Sequence, residues 1–217
     1  MSKGIFITGT GTDVGKTYIA GLLVKKLYEQ GINVAYFKTA MSGNKRDTNG
    51  KLIPGDALHV KTVSGIAQPL DEMCPYVYEQ AFSPHLVSKI EDLPVELNKV
   101  AEFYKKICQK YDFVVAEGSG GIVCPIRYDY RKIFLVDIIK LLGLPCIIVA
   151  DAGLGTINNT VLTCEYIKKQ GLDVKGIILN NFDENNMMHR DNKIMCEEIT
   201  GISIIACVEK DCTNIKI

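Results

Sequence analysis

Short apolar runs rich in β-branched residues alternate along this chain with longer stretches whose apolar positions recur every three to four residues. Residues 4–8 (GIFIT) open the series as a buried strand. Residues 17–30 follow as a helix with Ala20, Leu23, Val24 and Leu27 on one face, and Gly31 ends it. Residues 33–37 (NVAYF) return to strand character, and 113–116, 145–150, 174–179 and 203–207 repeat it. Helical patterns at 97–109, 136–142, 159–169 and 187–200 lie between these runs. Strands that are apolar on both faces belong in a parallel sheet covered on both sides, because the connecting helices lie on its faces. With right-handed crossovers the expected fold is α/β, a doubly wound, mostly parallel sheet with helices on both faces.

Two stretches break this rhythm. Residues 39–54 are polar and rich in Gly and Asn, too long for an ordinary strand-to-helix connection. Residues 118–133 begin Gly-rich and then carry Arg127, Asp129, Arg131 and Lys132. Long loops at the ends of parallel strands are where open α/β sheets bind ligands. Both are expected at the ligand edge, unless they only decorate the surface.

The chain of 217 residues is long enough for one packed core and short for two, so one domain over residues 1–217 is expected. Apolar residues are 47% and charged residues 23%, the balance of an ordinary globular protein. Lys+Arg and Asp+Glu are equal at 25 each, which gives no electrostatic reason to expect nucleic acid or an acidic membrane as partner. No apolar stretch approaches the roughly 18 residues that span a bilayer. The 8 cysteines form no CxxC or CxxH pair. They read as reduced thiols, with Cys124, Cys146 and Cys207 inside apolar runs, and a cytoplasmic location without a targeting segment is expected.

The strongest chemical signal is Gly9-Thr-Gly-Thr-Asp-Val-Gly15-Lys16-Thr17, placed directly after a strand and before a helix. Glycines let the backbone wrap so that its N–H groups point at phosphate oxygens, and the helix N-terminus adds partial positive charge. Lys16 can then reach the β- and γ-phosphates, and the Thr17 hydroxyl can reach a magnesium ion. The loop is a variant: Thr10 stands where the strict pattern has its first glycine, and Gly9 lies one residue earlier.

Three other residues fit that chemistry. Glu117 ends the apolar run at 113–116 and precedes Gly118-Ser-Gly-Gly121, so its carboxylate is expected beside the phosphates as a hard oxygen ligand. Asp56, in Pro54-Gly-Asp-Ala57, is either a metal ligand or a cap for the helix after it. Lys38 ends the second strand and would lie over the loop as a second cation, or else be a solvated loop lysine.

These residues together resemble the dethiobiotin synthetase family. The resemblance is carried by Gly9 to Thr17, Phe37-Lys38-Thr-Ala-Met-Ser42-Gly43, Gly55-Asp56-Ala57, Ser83-Pro84-His85, Glu117-Gly-Ser-Gly-Gly121, Asp151-Ala-Gly-Leu-Gly-Thr-Ile-Asn158 and Gly176-Ile-Ile-Leu-Asn-Asn181, in that order over residues 4 to about 208. It implies a P-loop ligase of biotin biosynthesis that joins 7,8-diaminopelargonate and CO2 at the expense of ATP, with Mg²⁺, giving dethiobiotin, ADP and phosphate. A carbamate formed on one amine attacks the γ-phosphate, and the second amine then closes the ring.

By position, the resemblance makes Lys16 and Lys38 the catalytic cations and Thr17, Asp56 and Glu117 the metal ligands. The nucleotide contacts it implies are Thr12, Asp13, Val14, Gly15, Lys16, Thr17, Tyr18, Glu117 and Asn180, with Asn180 at the base. Substrate contacts would be Thr12, Lys38 and Ser42, with Gly155, Thr156, Ile157 and Asn158 receiving the substrate carboxylate at a helix N-terminus across a homodimer interface. Asp13 stands where many relatives have Glu, Thr39 where a proline usually follows the lysine, and Ala206-Cys-Val208 where an Ile-Pro pair is common.

Two rivals are weighed against this. A partition-type P-loop ATPase carries an extra lysine near the start of its loop, and here Gly11 occupies that place. Amidating domains of cobyrinate-type synthetases usually carry a glutaminase domain that a chain of this length cannot hold. His59 and His189 have no ligand-spaced partner, which argues against zinc. His85 is expected to serve loop or interface structure, Tyr128 and Tyr130 either the substrate rim or packing, and Arg190, Asp191 and Lys193 a solvated helix face.

Overall fold

The computed structural model describes residues 3–217. Its centre is a six-stranded sheet in the order β10-β9-β8-β1-β5-β2, with every neighbouring pair parallel. These strands are β1 (Lys3–Gly9), β2 (Val34–Lys38), β5 (Phe113–Glu117), β8 (Cys146–Asp151), β9 (Val174–Asn180) and β10 (Ile204–Val208). Each apolar run named from the sequence is one of them. The chain leaves β1 toward β2 and β5 on one side, then crosses to β8, β9 and β10 on the other, so the order reverses beside β1. Ligands bind at such a reversal, at the carboxyl ends of the strands.

One face of the sheet, with Ile7, Tyr36, Val115, Val149 and Ile178, is covered by α1 (Lys16–Glu29) and α2 (Gly55–Ser64). The other face, with Phe6, Phe37, Ala116, Ile148 and Leu179, is covered by α4 (Leu97–Lys110), α5 (Leu135–Leu142) and α6 (Thr156–Lys169). A last helix, α7 (Met187–Thr200), packs on α6. Alternate residues of one strand thus serve two different apolar clusters, which is why these strands are apolar throughout.

The irregular stretches hold more structure than their composition suggested. Within 39–54, β3 (Ala40–Met41) pairs in parallel with β4 (Tyr76–Val77). Within 118–134, β6 (Pro125–Tyr128) and β7 (Lys132–Phe134) form an antiparallel hairpin, and α3 (Pro84–Ile90) packs against β6. The hairpin's charges are used internally. Arg127, only 2% exposed, pairs with Glu96 and with Asp129, and Arg131 also reaches Glu96. Tyr130 lies beside the Arg127 and Arg131 guanidinium groups and Tyr128 against Phe134 and Lys132, and both stay exposed.

β2 is an edge strand, yet its outer backbone is satisfied. The Gln68 side chain accepts from Tyr36 N–H at 2.8 Å and donates to Tyr36 C=O at 3.1 Å, and Lys38 N–H donates to Met73 C=O at 2.9 Å. A side-chain amide and a short loop replace a seventh strand and close an edge that would otherwise invite pairing. All 8 cysteines are free thiols. Cys74, Cys146, Cys164 and Cys196 are buried, and Cys124 and Cys207 are partly buried and pack against the core. No helix among the described residues is long and apolar enough to cross a membrane.

Candidate functional site

The register of the parallel sheet builds the site. Ile7, Glu117 and Lys38 sit at one level on β1, β5 and β2. Register partners on neighbouring parallel strands point to the same face, so Lys38 and Glu117 emerge side by side. The Lys38 ammonium lies 2.6 Å from Glu117 Oε1 and 2.6 Å from Asp56 Oδ2. Thr17, in the first turn of α1, donates its hydroxyl to Glu117 Oε1 at 2.7 Å, and the Tyr36 hydroxyl donates to Glu117 Oε2 at 2.7 Å. Glu117 is 1% exposed and Lys38 6%, which excludes a solvated role for either. Burial disfavours the Lys38 charge, but the Glu117 and Asp56 carboxylates outweigh it and hold its pKa above the ordinary lysine value. Burial, with the Glu117 charge beside it, pushes the Tyr36 hydroxyl well above its usual range and keeps it a donor.

Asp56 does not cap α2: Pro54 holds the cap position and no side chain caps it. What fixes that turn is Asn44, which sequence reasoning passed over. Its amide donates to Met41 C=O at 2.9 Å and Tyr78 C=O at 2.8 Å, while its oxygen accepts Gly55 N–H at 2.8 Å. Asn44 thereby ties the residue before Asp56 to the two short strands. Tyr36 was also missed, although its position two residues before Lys38 on one strand puts both on the same face.

The phosphate loop runs from the end of β1 into α1. Gly15 caps that helix with φ +91°, and an added Cβ would lie 2.1 Å from Asn180 Nδ2. Only glycine fits. Lys16 folds back over the loop to Gly11 C=O at 2.6 Å, and burial, then the Lys38 charge, lowers its pKa. Gly15→Ala is expected to destabilise the fold by about 1–3 kcal/mol through backbone strain. It should also weaken nucleotide binding, whereas Gly11→Ala, where a Cβ meets nothing within 4 Å, should leave stability unchanged. Denaturant unfolding of the two variants checks this.

A cleft of about 680 Å³ opens above the loop. Thr12, Asp13, Gly15, Lys16, Thr17, Tyr18, Lys38, Ser42, Asp56 and Glu117 all line it, with Met41, Ala81, Phe82 and Pro84 as an apolar wall. Ser119, Gly120 and Cys124 line it from the Gly-rich part of the 118–133 stretch, and burial pushes the Cys124 thiol up to about 11. The two carboxylates already share one cation, the Lys38 ammonium, and the Thr17 hydroxyl bonds the Glu117 oxygen that meets it. Hard oxygens in that number suit a Mg²⁺ that takes its remaining ligands from phosphates and water. Among the described residues no group of three or more His, Cys, Asp and Glu could hold a metal without such help.

Comparison with known proteins decides between the rivals. A family described as "AAA domain" matches residues 3–213. ATP-dependent dethiobiotin synthetase BioD of Clostridium perfringens is 48% identical, over 97% of this chain and 92% of its own. The proteins of the same name from Clostridium novyi and Brachyspira hyodysenteriae are each 50% identical, over 97% and 96% of this chain and 88% and 92% of theirs. The chain belongs to the dethiobiotin synthetase family. Among solved structures, a ParA family ATPase from Chlorobium tepidum superposes with TM-score 0.58 at 16% identity, over 97% of this chain and 86% of its own. The septum site-determining protein MinD from Pyrococcus horikoshii superposes with TM-score 0.56 at 20% identity, over 97% and 82%. At those identities the likeness is one of fold alone.

Not every position implied by resemblance to the dethiobiotin synthetases lies in the cleft. Val14 and Asn180 sit behind the loop, where Asn180 Nδ2 donates to Val14 C=O at 3.1 Å and its buried Oδ1 has no partner. Gly155, Thr156, Ile157 and Asn158 begin α6, outside the cleft. The turn before them is held by Asn192, whose amide donates to the carbonyls of Ala152 and Gly153 at 2.9 and 3.1 Å. His85, in the first turn of α3, bonds the Ser83 hydroxyl just before that helix, and His189 accepts Asp183 N–H.

Proposed function

We propose that the protein is an ATP-dependent dethiobiotin synthetase that carboxylates 7,8-diaminopelargonate with CO2 and closes the ring, releasing ADP and phosphate. The observation that carries this is the convergence of Lys16, Lys38, Thr17, Asp56 and Glu117 at the mouth of a phosphate loop, in a cleft with an apolar wall. The names of the close relatives support it.

In this reading the loop N–H groups and Lys16 bind the β- and γ-phosphates. Thr17, Asp56 and Glu117 would hold Mg²⁺, which when bound adds positive charge at the terminal phosphate. Lys38 reaches from its carboxylate partners toward the carbamate and the transferring phosphoryl group, offsetting charge that grows in the transition state. One amine takes up CO2 to form the carbamate. A carbamate oxygen bonds to the γ-phosphorus as ADP leaves, and the second amine attacks the carbonyl carbon and expels phosphate. The apolar wall of Met41, Phe82 and Pro84 suits an alkyl chain and shields the anhydride from water.

The chain acts as one domain, in the cytoplasm, and pairs as a homodimer. Leu154, 93% exposed, precedes α6, and Leu162, 62% exposed, lies midway along it. A second copy covering them would bring the α6 N-terminus, with Gly155, Thr156, Ile157 and Asn158, to the substrate carboxylate of the opposite cleft. Purified protein given diaminopelargonate, bicarbonate, Mg²⁺ and ATP should form dethiobiotin and phosphate together. ATP hydrolysis that ignores the diamine but responds to DNA or lipid would overturn the assignment. Mixed dimers of a loop-lysine variant and an α6 variant should regain activity that neither parent has.

A further inference from the structure

The two oxygens of Glu117 are used unequally. Oε1 faces the cleft and meets Thr17 and Lys38, while Oε2 faces away and receives the Tyr36 hydroxyl at 2.7 Å. A glutamate carboxylate turns on a broad, two-fold terminal torsion, so one oxygen stays aimed at the cleft only if the other is held. Tyr36 is suited to hold it. Its ring is fully buried between sheet and helices, and Gln68, itself 1% exposed, grips its backbone N–H and C=O from the open edge of β2. Gln68 is anchored in turn to Glu72 C=O at 3.1 Å. Phenylalanine would fill the same apolar space without bringing a hydroxyl into it, so packing alone does not explain tyrosine at this position.

We propose that Tyr36 is a positioning residue of the metal site: its hydroxyl, locked through Gln68, fixes the Glu117 carboxylate so that Oε1 points at the cation. This rests on Glu117 being a metal ligand, as proposed above. Partners of metal ligands typically alter affinity by about 10–100-fold when removed, and one hydroxyl on one of three ligands belongs at the low end.

The test is Tyr36→Phe, which keeps the ring. Mn²⁺ binding in the presence of ADP, followed by electron paramagnetic resonance, should weaken about tenfold. The apparent KM for Mg²⁺ should rise by a similar factor, with kcat at saturating Mg²⁺ within about twofold of wild type, while the melting temperature falls only modestly as Glu117 Oε2 loses its buried donor. In a Glu117→Ala background the same substitution should no longer change Mn²⁺ affinity. Should Glu117→Ala weaken Mn²⁺ while Tyr36→Phe does not, the positioning role fails and the metal reading of Glu117 stands. Should Glu117→Ala leave Mn²⁺ binding intact, both fail. Loss of kcat and melting temperature at unaltered Mn²⁺ affinity would mark Tyr36 as structural only and overturn the proposal.

Discussion

Lys16→Ala is expected to lower dethiobiotin formation by about 100- to 1,000-fold, the usual effect of removing one preorganised charge partner of a transition state. It should do so without harming the fold. Lys16 is 7% exposed, and burial together with the Lys38 charge disfavours its ammonium where it sits. Its one hydrogen bond goes to the loop carbonyl of Gly11. Deleting a charge that the folded state tolerates poorly costs little, so the melting temperature should stay level or rise. Phosphate release at saturating substrates, with a thermal scan of the same preparation, checks both halves. A large fall in melting temperature alongside the lost activity would show Lys16 to be a structural prop instead.

Lys38→Met should show the opposite pattern, losing turnover and stability together. Glu117 has no accessible surface at its side chain, and among the described residues Lys38 is the one cation within ion-pair distance of it. Breaking a buried ion pair from one side leaves an uncompensated charge and costs about 3–5 kcal/mol. Removing both charges in a Lys38→Met, Glu117→Gln double variant should restore most of that stability, since a matched neutral pair carries no such penalty, while activity stays lost.

The pH dependence has a definite sign. The folded-state pKa of Lys38 is raised above its unfolded value, so its stabilisation is fully present below the ordinary lysine pKa of about 10.4 and fades as pH climbs through the raised value. The stability gap between wild type and Lys38→Met should therefore be flat from neutral pH to about 9 and narrow only at stronger alkali. Urea unfolding across that range measures it, and a gap that closes near neutral pH would contradict the ion-pair account.

Those two variants separate roles that look alike in the sequence. Both are lysines expected over the phosphates, Lys16 at the start of α1 and Lys38 at the end of β2. Only the fold shows that one bonds a backbone carbonyl while the other neutralises a buried carboxylate. Asp56 makes the same point. Read locally it could have been a helix cap, and the structure gives it to Lys38 instead, because β2 and the start of α2 meet across the cleft.

The sequence by itself determined the layered fold, the phosphate loop and the family. Apolar periodicity and Gly-Lys-Thr chemistry are local properties, written in consecutive residues and readable without knowing what lies opposite. What only the tertiary structure decided were the pairings. The Glu96 carboxylate that consumes Arg127, the Gln68 amide that closes the edge of β2, the Asn44 tie that sets Asp56 and the Tyr36 hydroxyl on Glu117 each join residues distant in the chain. Strand order and register choose such partners, and a side chain's own composition does not reveal which neighbour the sheet will put beside it.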